Sequence, residues 1–362
     1  MLIAKVVNNG RNANIDFLRI ISMLSIVLDH LLFHGKAIIK FKTNKLLLLL
    51  ILCMWHVCCF GMISGLAGNK THKFSNLYYL WIITVFYSLL FNLIYNQISN
   101  ISFNKKNFIN DIFPIAFNKY WYLTSYFGVY PFLPIINLGV LTLIKINIKK
   151  SIYYVLSICI IWAYYYKDCF KQYNGKTPFT LLIFYLLGSY IKKYIFFTNH
   201  SLSYNIIIFT ICIFSFIYIS IITYIINIYY YSNKIKNIFR IEINSFPMIL
   251  QALAITMIIA IIEFNQYISK LITFIGPLTF DVYLIHENTY VRKAFIAKSF
   301  DNYPRELNSF FLYFLIFSKA ISIFFICIFI GYIRNFIFKI LKIKSICIKF
   351  DLTTTKILDY LI

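Results

Sequence analysis

The sequence predicts an all-α, polytopic integral membrane bundle of about ten transmembrane helices, and three observations carry that prediction. Of its 362 residues 60% are hydrophobic and 13% charged, with mean hydropathy +0.75, more apolar than a water-soluble domain can hide. Runs such as 46–52 and 318–331 belong to stretches of about 20 apolar residues, the length that crosses a hydrocarbon core of roughly 30 Å. The charges gather in twos and threes between these stretches.

In chain order, apolar runs bounded by charges or by Asn, Gly and Pro clusters give spans at 15–34, 46–66, 76–96, 121–144, 151–166, 178–197, 204–227, 245–263, 269–287 and 309–333. The run at 151–166 is at or below the usual minimum of about 17 residues; without it every later span reverses direction. Residues 1–14 then form a cytosolic N-terminus, 15–333 one membrane domain and 334–362 a basic cytosolic tail. The long connections 97–120, 228–244 and 288–308 share one side. Short basic links, including Lys70/Lys73 and Lys192/Lys193, share the other with both termini. Basic residues divide almost evenly between the sides, so the density of charge in the short links sets the N-in orientation. Pro131, Pro134, Pro247 and Pro277 lie within spans and mark kinks.

The formal net charge is +23. Its 35 Lys and Arg are dispersed between apolar runs, which points to the phosphates of a bilayer surface and away from nucleic acid. Six of the eight cysteines lie inside apolar runs without a C-x-x-C pair and read as small hydrophobes. A cleaved signal peptide is not expected, because Asp16 and Arg19 interrupt the first apolar run.

Ionisable residues inside spans are expensive and therefore informative. The first span holds Asp16, Arg19, Asp29 and His30. Arg19 and His30 stand eleven residues apart, about 16 Å along a helix and on nearly the same face. Asp16 and Arg19 are near enough to a span end to reach interfacial water. His30 is suited to proton transfer near neutral pH, or simply to a hydrogen bond with a neighbouring helix. His34, at i+4 from His30, makes a metal pair conceivable, but with no H-E-x-x-H or cysteine cluster nearby no metal is expected. His286 ends the ninth span beside Asp281 and Glu287, and in the N-in arrangement it shares a surface with His30. Trp121 starts the fourth span at that surface, where an aromatic belt is the ordinary reading.

Asp16-Phe17-Leu18-Arg19 followed by His30 resembles the opening motif of the acyltransferase 3 family, the integral-membrane O-acetyltransferases of bacterial surface polysaccharides. Phe60-Gly61-Met62-Ile63-Ser64-Gly65, Trp121-Tyr122-Leu123 with Tyr130-Pro131-Phe132-Leu133-Pro134, Leu186-Leu187-Gly188-Ser189-Tyr190 and Phe280-Asp281-Val282-Tyr283-Leu284-Ile285-His286 are similar to its later segments, in the same order. One departure stands out. Where the family usually carries Arg-x-x-Arg, this chain has Lys70-Thr71-His72-Lys73, which keeps the charge and loses the bidentate fork.

The resemblance implies a multi-pass enzyme of the bacterial cell membrane. It would move an acetyl or other short acyl group from acyl-CoA, a donor substrate and not a resident cofactor, to a sugar hydroxyl of a polysaccharide or lipid-linked glycan. Under it His30 is the general base, with Asp29 as a possible orienting acid and Asp16 as a partner for Arg19. Arg19, Lys70 and Lys73 would contact the donor, and Trp121, His286 and Asp281 would face the acceptor. A transporter of lipid-linked sugars is the competing class, since it too would use buried charges and prolines.

Overall fold

The structure is a computed structural model describing residues 7–8, 11–41, 43–68, 73–100, 102, 104–139, 157, 173–197, 202–229 and 239–361. A two-residue antiparallel ladder, β1 (Val7–Asn8) with β2 (Arg11–Asn12), precedes the first helix, and helices make up nearly all the remaining regular structure. Helix α1 (Ala13–Phe33) begins at Asn12, whose side chain accepts from the amides of Asn14 and Ile15 and so satisfies two otherwise unpaired donors.

Next come the short α2 (Ala37–Phe41), α3 (Asn44–Cys53) and α4 (His56–Ala67), the last two forming one apolar stretch across a turn at Met54 and Trp55. They are followed by α5 (Phe74–Ile98), α6 (Lys105–Ile112) and α7 (Trp121–Val129), which runs into a tight turn at Tyr130–Phe132 with Pro131 inside it. Beyond the undescribed stretch lie α8 (Pro178–Phe197), α9 (Leu202–Tyr229) and α10 (Phe246–Ile261). Helices α11 (Gln266–Ile275) and α12 (Thr279–His286) are two halves of one span, parted by a 3-10 turn at Gly276–Leu278. The chain closes with the 32-residue α13 (Ser309–Ile340) and α14 (Ile343–Leu361).

Among the described residues five helical stretches are long and apolar enough to cross a membrane: Asn44–Ala67, Phe74–Ile98, Ser203–Tyr229, Gln266–His286 and Ser309–Ile340. Pro178–Lys192 and Phe246–Ile261 are shorter apolar helices. Helix α1 has the length, 21 residues, but carries Asp16, Arg19 and Asp29. Each predicted span within the described residues contains a helix. The span at 151–166 lies outside them apart from residue 157, as does the far end of 121–144. The segment 334–362, expected as a tail, continues α13 and then forms α14, which docks on α5 through the Asp351 carboxylate accepting from the Ser75 amide at 2.9 Å.

Helix α1 is the hub. It packs against α3, α4, α10, α11, α12 and α13, while α9 and α13 turn residues such as Phe214, Phe325 and Phe329 outward, the arrangement of a bundle whose solvent is apolar. Helices α4 and α8 meet backbone to backbone. A Cβ on Gly188 would lie 2.0 Å from the Met62 carbonyl oxygen, and one on Gly65 would lie 2.1 Å from that of Tyr185. Small residues let backbones meet at this distance. Gly188→Ala should therefore push α4 from α8 and destabilise the fold by roughly 1–3 kcal/mol, read as a lower thermal unfolding midpoint in detergent; an unshifted midpoint would contradict the contact.

Candidate functional site

The site forms where the C-terminal ends of α1 and α12 meet. His30 stands one turn before the end of α1, and His286 is the last residue of α12. The His30 Nδ1 lies 3.0 Å from the His286 Nε2 and 3.1 Å from the Glu287 Oε2. The His286 Nδ1 lies 2.5 Å from the Val282 carbonyl oxygen, which can only accept. A neutral His286 thus carries its proton on Nδ1 and offers a lone pair at Nε2. His30 Nδ1 then faces two acceptors, so its proton sits there and its own Nε2 is left as the basic nitrogen.

Glu287 is fixed in turn. Its Oε1 accepts from Arg292 Nη1 at 2.8 Å, and Arg292 opens a short π-helical turn, Arg292–Ile296, a distortion that often accompanies functional sites. Asn288 donates from Nδ2 to the Tyr120 hydroxyl at 2.9 Å, and that hydroxyl donates to the Leu284 carbonyl at 3.2 Å. On the flank Asp111 accepts from Asn92, Lys119 and the Tyr290 hydroxyl; burial, then the Asp111 charge, pushes the Tyr290 phenol up to about 12.

The other sequence-selected residues fall in several places. Asp29 faces away from His30 and sits 3.5 Å from the Nε2 of His56, a buried residue of α4. His34 caps α1, its ring centroid 4.9 Å from that of His30. Asp16 and Arg19 pair one above the other near the opposite end of α1 through a single contact, and Arg11 of β2 forks onto both Asp16 oxygens at 2.6 and 2.8 Å. Lys73 precedes α5, with its carbonyl accepting from the Tyr130 hydroxyl. Lys70 lies outside the described residues. Trp121 starts α7 beneath the Lys176 ammonium, 5.8 Å from its ring.

Asp281 does not join His30. It is buried between α12 and α13, where Arg334 grips it through Nε at 2.9 Å and Nη2 at 2.5 and 2.6 Å, and the Tyr87 hydroxyl donates to it at 2.7 Å. Glu287 and Arg334 are among the residues that sequence reasoning left without a firm role. A carboxylate next to a span-ending His was a weak signal for the first. For the second, the apolar run continuing to Ile333 with Gly331 inside it was the only signal.

Among the described residues, one group of three could hold a metal ion: His30, His286 and Glu287, whose ligand atoms lie within 4.8 Å of one another. Two imidazoles and a carboxylate make a reasonable donor set for zinc.

The Asp281–Arg334 clamp generates its own expectation. Arg334→Met leaves a buried carboxylate unpaired and should cost about 3–5 kcal/mol. Asp281→Leu combined with Arg334→Met should regain most of that loss, as chemical unfolding would read; equal destabilisation of single and double variants would refute the pairing.

No curated protein and no solved structure matches the chain. A family model described as an acyltransferase domain does, over residues 12–333. That match takes in α1, the His30 site, Asp281 and its partner Tyr87, and stops one residue short of Arg334; the chain therefore belongs to the acyltransferase 3 family.

Proposed function

We propose that the protein is a membrane-bound O-acyltransferase, acetyl being the first group to test, that moves an acyl group from its coenzyme A thioester to a sugar hydroxyl of a cell-surface polysaccharide or its lipid-linked precursor. The observation that carries the reading is the His30 Nδ1 held against the Glu287 Oε2 at 3.1 Å. This is the carboxylate–imidazole arrangement that leaves the far ring nitrogen ready to take a proton. Family membership supplies acyl transfer in general; the donor and acceptor are part of the proposal.

In the proposed reaction His30 Nε2 takes the acceptor hydroxyl proton as that oxygen attacks the thioester carbonyl. The tetrahedral intermediate then collapses, the carbon–sulfur bond breaks, and the proton passes from the imidazolium to the departing thiolate. Glu287 stabilises the transient imidazolium, and Arg292 keeps that carboxylate oriented. Arg19, fixed by Asp16, is proposed as the cation for the donor phosphates, helped by Lys73 and Lys70. Trp121 and His286 are proposed to border the acceptor. The reading places ten spans in a bacterial cell membrane with both termini cytosolic, the membrane domain at 15–333 and the helical basic segment after it.

Transfer of radiolabelled acetyl from acetyl-CoA to the native glycan by membrane-embedded protein tests this directly. His30→Ala should lower the rate by about 10²–10⁴-fold, the usual worth of a general base. Undiminished transfer would remove the assignment. Glu287→Gln keeps an acceptor and loses the charge, and a fall of about 10²-fold is expected, with yield and unfolding midpoint near wild type. Deleting the gene should strip acetyl from the surface polymer while leaving its export intact; loss of the polymer itself would point to a transporter.

A further inference from the structure

At the opposite end of α1 from His30, a pocket of about 710 Å³ opens between α11 and α13. Three cations line it from three separate segments: Arg11 of β2, Lys270 of α11 and Lys339 of α13. Among the described residues neither Lys270 nor Lys339 has a carboxylate within ion-pair reach. Arg11 shares Asp16 with Arg19, so one acid answers two guanidinium groups. The rest of the lining is of another kind. Phe274, Tyr332 and Phe336 are all more than half exposed, and the first two rings meet at 5.9 Å between centroids, tilted by 55°. Next to them Leu271 and Ile340 also turn outward.

From this layout we infer that the pocket is a site for an anionic phospholipid, its phosphate between Lys270, Lys339 and Arg11 and its first acyl carbons along Phe274, Tyr332 and Phe336. A bare phosphate would use the cations and leave the aromatic lip without a purpose, and a soluble nucleotide's base would stack on the rings but leave the outward-facing Leu271 and Ile340 uncovered. A lipid headgroup uses both, because its charge and its chain leave the glycerol in opposite directions. Both helices that frame the opening belong to stretches long and apolar enough to cross a membrane, so the lip lies at the boundary where headgroup and chain part. Basic pockets between such helices are a recurrent form of headgroup recognition. The ligand would meet the protein within one helical turn or two of Asp16, because Gly276, just before the lining residue Pro277, packs directly on the Asp16 side chain.

The test is native mass spectrometry of the full chain in detergent, titrated with phosphatidylglycerol and, separately, phosphatidylcholine. Wild type should retain one phosphatidylglycerol in preference to phosphatidylcholine. Lys270→Gln combined with Lys339→Gln should weaken that retention on the order of tenfold or more, since each basic residue at a membrane surface strengthens anionic-lipid binding several-fold. Lys344→Gln with Lys349→Gln, which removes two exposed cations of α14 outside the pocket, should leave it unchanged. Phe274→Ala with Phe336→Ala should weaken it without altering charge. Equal retention by the pocket variant, or an equal loss in the α14 control, overturns the site. Displacement of the lipid by acetyl-CoA or by inorganic phosphate at comparable concentration also overturns it, assigning the cations to a free phosphate instead. All three double variants change surface side chains, and the readout does not depend on acyl transfer.

Discussion

Burying charge in an apolar bundle is the constraint on which the rest of this structure depends. A charged group at membrane depth costs at least a few kcal/mol unless it is neutralised on the spot, and α1 carries Asp16, Arg19 and Asp29 together with His30. Asp16 has no exposed surface and is answered by Arg11 and Arg19. Its side chain occupies space that only a glycine leaves free, since a Cβ on Gly276 would stand 2.6 Å from it. Helix α11 can therefore lie against α1, and the turn after Gly276 delivers α12 alongside the far half of α1. The pairing of His30 with His286 and Glu287 follows from a charge buried some four turns away.

Two braces then hold α12 in register. On one face Arg334 and Tyr87 satisfy Asp281, joining α12 to α13 and α5. Past its end Asn288 donates to the Tyr120 hydroxyl, which in turn donates to the Leu284 carbonyl. Buried carboxylates retained at a stability penalty are explained when they fix geometry. Here the geometry fixed is that of the two residues following Ile285, His286 and Glu287, so the brace and the site are consecutive turns of one short helix. Arg292 adds a third constraint from the loop side.

The helices were legible because lipid imposes a strong rule: about 20 apolar residues, with charges outside. The hub character of α1 was legible for the same reason, since four ionisable residues in one span demand partners. Which partners was not. Asp29 precedes His30 in sequence, yet successive helical residues diverge by about 100°, so it meets His56 on α4 while a residue 257 positions away meets His30. Arg334 read as the first charge of a tail because composition changes there, although the helix runs on and turns that side chain inward. The split of the ninth span at Gly276–Leu278 was foreshadowed by Pro277 alone.

The three groups around His30 admit two chemistries that exclude each other. A neutral imidazole has one ring proton. If Nδ1 keeps it for Glu287 and His286, then Nε2 has the lone pair and His30 is a base. If Nδ1 were instead a metal ligand beside His286 Nε2 and Glu287 Oε2, the proton would move to Nε2 and the base would vanish. The Arg292 contact bears on this choice. A guanidinium 2.8 Å from Glu287 Oε1 drains charge from the same carboxylate that would have to bind a dication, and it opposes that dication directly at short range. It costs the imidazolium much less, because that cation carries a single delocalised charge and sits 3.1 Å from the other carboxylate oxygen, Glu287 Oε2, rather than binding both oxygens. The electrostatics around Glu287 thus favour proton transfer at His30 over metal binding at the same atoms.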